Sequence, residues 1–374
     1  MLLLATKVWE QRKLGNLFNE RKERSTEGEL LSVTLSNGVT KFSDLNKKDN
    51  SNIKSGNYKI VKRNDIPYNS MRMWQGASGV SSYDGIVSPA YTVLIPNKNS
   101  NSNFYAVLFK KKSILNLFTR FSQGLTSDTW NLKYPILKDI NVPFTNLEEQ
   151  KRIFKIFNVV NNLLALYDRK TKLIKQIQSS FLDCFFSETN NVTSLNHFLR
   201  IRNGYAFKSS ELTENGEIPV VKISNIGSNK PFTFTTKAKS KEQFTLYPND
   251  IIIALSGATA GKINQVANKY PLYYQNQRVG FFEIKNDRLN CEYLNSFLHS
   301  KKFKSQLQKT LVAGAQPNIT PKDIEKIKIP FLEYELQQTI GQVNKYLFEL
   351  QRINKDKLTL LNKIKKTLLN NMFV

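Results

Sequence analysis

Histidine and cysteine are almost missing from this chain of 374 residues, which has two of each: His197, His299, Cys184 and Cys291. No set of them has the spacing of a structural zinc site, and two isolated cysteines build no disulfide scaffold. They read as small buried hydrophobes rather than as half of a catalytic Cys-His pair. Long apolar runs are absent too. No window approaches the ~18 consecutive apolar residues of a spanning helix, and the opening "MLLLA" is too brief for a secretory h-region. These absences set aside metal binding and membrane insertion and leave a soluble, cytoplasmic chain. Acidic residues are also scarce: 30 Asp/Glu stand against 55 Lys/Arg, a formal net charge of +25. Such an excess points to a polyanionic partner, with DNA or RNA leading. With 40% hydrophobic residues, the chain can bury at least one sizeable core, and its length favours two or more domains.

What is present is a duplication. "VPFTNLEEQKRIF" at 142–154 is answered by "IPFLEYELQQTI" at 329–340, and an offset of 187 carries the match to the end of the chain. Glu148 faces Glu335, Gln150 faces Gln337, Leu163 faces Leu350, Lys170 faces Lys357 and Phe186 faces Phe373. Upstream, "KDI" at 138–140 answers "KDI" at 322–324, and "RNDIPYNS" at 63–70 loosely answers "PNDIIIAL" at 248–255. Each half is a globular unit followed by a helical arm. Proline closes a strand at each junction, and acidic residues then favour the N-terminal end of the helix dipole.

The arms carry heptads. Ile153, Val160, Tyr167, Ile174 and Phe181 recur every seven residues in the first, and Ile340, Leu347, Asn354, Leu361 and Leu368 in the second. Three places further on stand Ile156, Leu163, Lys170, Ile177 and Cys184, answered by Val343, Leu350, Lys357, Ile364 and Asn371. The two sets predict an a/d seam in each arm, and polar residues in such a seam fix register and partner. An arm of this kind, at 1.5 Å per residue over about 40 residues, is ~60 Å long. A helical hairpin folded on its own domain is the plainer reading, but neither arm has an internal turn. Further apolar residues, Phe157, Val159, Leu164, Leu166, Leu182, Phe185 and Phe186, widen the first arm's face beyond one partner. The arms are expected to pair antiparallel and to offer surplus surface to another chain.

Charge is shared between the halves. Residues 1–146 carry 21 Lys/Arg and 11 Asp/Glu, residues 187–330 carry 20 and 11, and each arm carries 7 and 4. Two basic units held apart by helices form the layout of a reader of two nucleic-acid sites; a generally basic surface is the bland alternative. Catalytic motifs fail one by one. "SGATAGK" at 256–262 has three residues between Gly257 and Gly261, and Ile263 where a phosphate loop needs Ser or Thr. Asp250 with Glu283 and Lys285 resembles a loose nuclease pattern, but the first half does not repeat it. "NDIPYNS" is a poor match to the catalytic loop of a base methyltransferase, and no Gly-rich S-adenosylmethionine loop stands near it.

Two loop regions combine Arg, Asn and Gln, which can make bidentate contacts to base edges, with glycine for close approach. In the first half, Arg63, Asn69, Ser70, Arg72, Trp74 and Gln75 precede Gln123, Thr126 and Ser127. In the second, Lys222 and Asn225 are followed by Ser256, Thr259 and Lys262, then Asn276, Gln277 and Arg278, and finally Gln316 and Asn318. Thr259 and Lys262 suit phosphate contacts. Any one of these side chains, taken singly, fits a phosphate or surface role better than base reading.

The opening "WEQRKLGNLF", the loop "AGAQPNIT" with its following "KDI", and the doubled "PF…EEQ" helix start together resemble the specificity subunit of type I restriction-modification systems. The resemblance covers essentially the whole chain. It implies an α+β fold with two target recognition domains, residues 1–146 and 190–329. Each is followed by a spacer helix, 147–189 and 330–374, and the helices pair as an antiparallel coiled coil. It further implies a subunit with no catalysis and no cofactor of its own, bound to double-stranded DNA at a bipartite site. Two methyltransferase subunits would supply S-adenosylmethionine chemistry on adenine, and motor-nuclease subunits would use ATP and Mg. Two departures stand out: only eight residues precede Trp9, and "QGLTSDTW" stands where the second half has "GAQPNIT". The second is expected of halves that read unlike sequences. A stand-alone bivalent DNA-binding regulator, or a coiled-coil assembly protein with charge for solubility, are the alternatives.

Overall fold

The computed structural model describes residues 9–45, 57–187, 191–228, 230–235, 242–311 and 318–373. It divides into two compact units, Met1–Asp168 with Asp356–Val374, and Arg169–Lys355. Each unit therefore contains one globular domain, part of the central helix Leu147–Phe186 and part of the C-terminal helix Tyr334–Asn371.

In the first unit, Phe18–Glu20, Tyr91–Pro96 and Ile66–Asn69 form an antiparallel sheet with Tyr91–Pro96 in the middle. A second sheet joins Arg24–Ser25, Tyr58–Val61 and Gly85–Val87. The domain's two ends meet as an antiparallel pair, Glu10–Lys13 with Asn141–Phe144. Pro143 is tolerated there because a two-stranded pair leaves each strand a free edge. The helix Ser102–Leu108, capped by the Asn101 carboxamide accepting from Phe104 N–H at 3.0 Å, and the helix Lys112–Phe121 close the apolar side. Phe18, Phe104, Tyr105, Phe109 and Phe118 are fully buried between them. Each contributes roughly 1.5–3 kcal/mol by leaving water. Phe373 belongs to the same cluster, its ring 5.8 Å from Phe157, 5.3 Å from Phe104 and 6.5 Å from Trp9.

The second unit repeats the plan. Leu199–Asn203, Val279–Ile284, Ile251–Ala254 and Ile263–Gln265 make one antiparallel sheet. The other sheet holds Thr233–Thr235, Ile218–Val221, Tyr273–Gln275 and Thr245–Leu246, with one parallel pair. Val192–Ser194 pairs with Lys328–Pro330, as the first domain's ends do. Cys291–His299, capped by Asn290, and Lys301–Leu311 cover the core. Phe186 takes the place that Phe373 has in the other unit, 5.3 Å from Tyr293 and 5.5 Å from Phe297.

A buried glutamine locks each arm to the domain it follows. Gln150, fully buried, accepts from Asn101 N–H at 2.8 Å and donates to the carbonyls of Thr145 and Asn99 at 2.7 and 3.1 Å. Gln337 does the same, accepting from Asn290 N–H at 2.9 Å and donating to Leu332 and Arg288 carbonyls at 2.8 and 3.0 Å. The glutamine of the duplicated junction is thus a structural bolt between helix start and helix cap.

Within each unit the arm segments run antiparallel. In the first, Phe157 stacks on Phe373 and the Lys357 ammonium lies 5.5 Å from the Tyr167 ring. In the second, Gln178 meets Asn344 and Gln351, and Thr171 meets Asn354. The expected first seam set faces inward: Ile153, Val160, Ile174, Ile340 and Asn354 are buried, and Tyr167, Phe181, Leu347, Leu361 and Leu368 are half-buried. The expected second set does not. Ile156, Leu163, Lys170, Ile177 and Cys184 are exposed, and so are Val343, Leu350, Lys357, Ile364 and Asn371. The true partners lie four places beyond the first set, at Phe157, Leu164, Thr171 and Gln178, and at Asn344, Gln351, Leu358 and Lys365. The cysteines also differ from expectation, since Cys184 and Cys291 are both exposed.

The outward face consequently bears a second apolar stripe. The first unit exposes Ile156, Val159, Leu163 and Leu166 with Leu360 and Ile364; the second exposes Leu173 and Ile177 with Leu336, Val343, Tyr346, Leu350 and Ile353. Such rows are rare on a helix whose outer face meets only water.

Candidate nucleic-acid interface

In both domains one backbone device presents the loop that follows a sheet strand, Ile66–Asn69 in the first and Ile251–Ala254 in the second. Asn64 and Asn249 precede those strands at φ of 70° and 73°, a left-handed conformation that asparagine tolerates. Their N–H groups donate to Ser81 and Val266 carbonyls at 3.0 and 2.9 Å. After the strands, Asn69 N–H donates to the Ala77 carbonyl and Ala254 N–H to the Lys262 carbonyl, both at 2.9 Å, so each strand exit closes into a loop of the same size. Gly76 and Gly261 turn those loops at φ of 87° and 80°. At Gly261 the positive φ strains most side chains, and a Cβ there would also come within 2.9 Å of the Leu307 side chain.

A second loop docks on each of these. In the first unit, Leu132 N–H donates to the Ser70 carbonyl at 2.8 Å, Gln123 and Asn131 exchange backbone hydrogen bonds, and Trp130 packs edge-on to Trp74 at 5.2 Å. This gathers Asn69, Ser70, Arg72, Trp74 and Gln75 with Gln123, Thr126 and Ser127. Arg72, Gln75, Gln123, Thr126 and Ser127 are exposed. Ser70 is 3% exposed with its hydroxyl against that of Thr92 at 2.9 Å, and Asn69 caps Met71 N–H; both hold the loop's shape rather than face solvent. Arg63, although exposed, precedes the strand Ile66–Asn69 that Arg72 follows, and its N–H donates to Asp84.

In the second unit, Ile319 N–H donates to the Leu255 carbonyl at 2.8 Å, and Leu255 N–H donates to the Arg278 carbonyl at 3.0 Å. The Arg278 guanidinium donates to the Ser256 hydroxyl at 3.1 Å, and Ser256 bridges Asn318. Asn276 N–H reaches the Val221 carbonyl at 3.0 Å, and the Thr259 hydroxyl donates to the Ile223 carbonyl at 3.2 Å. Lys222, Ser256, Thr259, Lys262, Asn276, Gln277, Arg278 and Asn318 therefore come from four chain segments to one place. Lys262, Gln277, Arg278 and Asn318 are exposed there. Asn225 is not free to read a base: its carboxamide accepts from Lys222 N–H and donates to the Lys230 and Pro231 carbonyls. Gln316 lies outside the described residues.

The groups that resembled a nuclease are otherwise engaged. Glu283 is salt-bridged to Arg200, which holds its carboxyl below the usual range, with Arg202 at 3.7 Å. Asp250 caps Tyr247 N–H at 2.7 Å, and burial raises its pKa. Among the described residues there is no cluster of three His, Cys, Asp or Glu that could hold a metal, and no helix long and apolar enough to cross a membrane. Reading by spacing missed Arg21, whose guanidinium makes a buried fork with Asp65 at 2.7 and 3.2 Å behind the first loop. It also missed Lys110, whose ammonium donates to the Gly76 and Ser78 carbonyls and so ties that loop to the helical layer.

The sequence matches the type I restriction modification DNA specificity domain over residues 6–176 and again over 187–365. The chain belongs to that family. The type I restriction enzyme MjaVIII specificity subunit of Methanocaldococcus jannaschii is 26% identical over 344 residues, 83% of this chain and 78% of that protein. The type I restriction-modification S subunit from M. genitalium superimposes with a TM-score of 0.69 at 17% identity, covering 100% of this chain and 98% of that one. A chain from a structural study of assembly and conformational transition in the type I R-M system gives 0.54 at 15% identity, covering 100% and 99%. This specificity subunit is thus a DNA-sequence-recognition component, of a non-catalytic kind, in a type I restriction-modification system.

Proposed function

We propose that the subunit reads a bipartite site on double-stranded DNA, one half with residues 1–146 and the other with 190–329. The paired helices 147–189 and 330–374 act as the ruler between them. The observation that carries this reading is the repetition of the loop device. Two basic domains each present a glycine-turned strand exit on which a second loop docks, with unlike side chains at matching places: Arg72, Trp74 and Gln75 in one, Gly257, Thr259 and Ala260 in the other. A shared scaffold with divergent tips suits two readers of different sequences. Arg72, Gln75, Gln277, Arg278 and Asn318 are the leading base readers, with Lys222, Thr259 and Lys262 on phosphates.

The outward apolar stripes are the docking face for methyltransferase subunits, two per chain because the stripes repeat with the halves. Those subunits bring S-adenosylmethionine, and motor-nuclease subunits bring ATP and Mg. The assembled complex is then an adenine methyltransferase and an ATP-dependent endonuclease, working in the cytoplasm. Co-expression with the cognate methyltransferase, followed by genome-wide mapping of adenine methylation, tests the reading. A split motif is expected, with only one half changing when residues 1–146 are replaced by another recognition domain. An unsplit motif, or one indifferent to the exchange, refutes it. A chain that binds a defined site tightly without any methyltransferase would be a stand-alone regulator instead.

A further inference from the structure

Duplication creates a pairing problem for the arms. Because residues offset by 187 occupy the same heptad phase, a surface on the central arm that accepts the C-terminal arm has the shape to accept the central arm of another copy. The two units meet this differently. The first unit's seam is largely apolar, with Phe157, Val160, Leu164, Leu361 and Phe373. The second unit's seam is a ladder of amides. Gln178 donates to the Asn344 carboxamide oxygen at 2.8 Å, Gln351 donates to that of Gln178 at 2.7 Å, and Asn354 donates to the Thr171 hydroxyl at 3.4 Å. Asn344 also donates to the Ser296 hydroxyl at 2.9 Å, which anchors the ladder to the helix Cys291–His299. Asn344 and Asn354 are 1% and 2% exposed, so water does not stand in for a missing partner.

We infer that this amide ladder makes the arms choose each other over the matching arm of a second copy. Moving each contact by the repeat offset shows what the alternative would hold. In a central-to-central pairing, Gln178 would face Phe157 and Leu164 of the second copy, and Thr171 would face Tyr167. In a C-terminal pairing, Asn354 would face Leu358, and Asn344 would face Lys365 in place of Gln178, with Phe373 beside it. Lys365 would stand where Gln178 now accepts from Gln351, and an ammonium has no acceptor to offer. Only the pairing within one chain gives every amide an amide or hydroxyl. A buried polar group without a partner is strongly unfavourable, and polar seam residues are known to act through that penalty on partner and register. The inference does not depend on what DNA the domains read.

The test uses the full chain without methyltransferase, as two differently tagged copies co-expressed. The native chain is expected to recover almost none of the other copy. The variant Gln178→Leu/Asn344→Leu/Gln351→Leu/Asn354→Leu is expected to recover at least tenfold more. Equal recovery by both, or a variant that stays unpaired, overturns the inference. A second measurement covers a variant that fails to fold. With Cys184 and Cys291 replaced by serine, Thr171→Cys/Asn354→Cys should close an intrachain disulfide, whereas Tyr167→Cys/Thr171→Cys should give no covalent dimer. A covalent dimer at a yield matching the intrachain link would sink the idea.

Discussion

Replacing Gln150 with leucine removes three hydrogen bonds from a site sealed from water. It leaves the Asn101 N–H and the Asn99 and Thr145 carbonyls to find new partners. A buried polar group left unpaired costs about 1–3 kcal/mol, so the three together cost ~3–9 kcal/mol. The apolar replacement returns about half of one such loss through burial of its methyl groups, at about 25 cal/mol per Å². A net destabilisation of about 3 kcal/mol is a large share of the ~5–15 kcal/mol that holds a domain folded. For a unit of this size it lowers the melting temperature by roughly 6–12 °C.

The assay is built into the sequence. Trp9, Trp74 and Trp130 are the chain's three tryptophans and all belong to the first unit, so tryptophan fluorescence follows that unit's unfolding. Gln150→Leu should bring the fluorescence transition down by that amount. Gln338→Leu, at an exposed position next to the second lock, should leave it within about 0.5 kcal/mol of native. A Gln150→Leu transition within 2 °C of native would refute the lock and with it the structural meaning given to the duplicated junction.

Three further outcomes are expected. Leu163→Glu with Leu350→Glu, both on the outward stripes, should abolish co-purification with the methyltransferase while leaving the melting temperature unchanged; retained complex would move docking elsewhere. Burial and the nearby Lys365 push the Lys110 ammonium down to about 8 from its ordinary 10.5. The folded state therefore holds fewer protons than the unfolded chain between those values, and stability contributed at this site rises as pH climbs from about 8 towards 10.5. Lys110→Met should lose that rise, and parallel pH–stability curves for the two proteins would refute it. Matched seven-residue insertions after Asp168 and after Lys355 keep the seam in phase and lengthen each arm by ~10.5 Å. The permitted gap between half-sites should grow by about three base pairs, at ~3.4 Å each, with both half-sites kept; an unchanged gap would end the ruler reading.

Much of this architecture was legible because it is written twice. The junctions at Pro143 and Pro330 and the helix starts show through the offset of 187, and the segments around Asn64 and Asn249 through a looser match, since a repeat reveals constraint without any second sequence. Half of the seam was legible, since the set from Ile153 to Phe181 and from Ile340 to Leu368 faces inward as expected, but its partner set was not. Ile156, Leu163 and Ile177 carry the bulk of core residues, while the true seam holds Thr171, Gln178, Asn344 and Gln351, so apolar periodicity pointed to the wrong face. The loop clusters were legible as segments but not as a constellation. Leu132 reaches Ser70 and Ile319 reaches Leu255 through backbone hydrogen bonds over more than sixty residues, and side-chain chemistry leaves no trace of such contacts. Asn225 shows the limit from the other side, because a residue type suited to base reading is equally suited to stapling its own loop.

The misplaced phase has a functional logic of its own. Apolar residues are placed where they would aggregate a free helix, and amides are placed where an isolated pair would prefer leucine. Each choice weakens the arms as a self-sufficient coiled coil. Both make sense if the helix pair is one layer of a larger bundle: the outer stripes bind strongly because they begin exposed, and the inner amides bind selectively because only one partner satisfies them. Stability is then drawn from assembly, and specificity of pairing from the chain itself. On that view, methyltransferase binding should raise the melting temperature of the arms more than that of either recognition domain, since a ligand stabilises the folded elements it contacts by mass action.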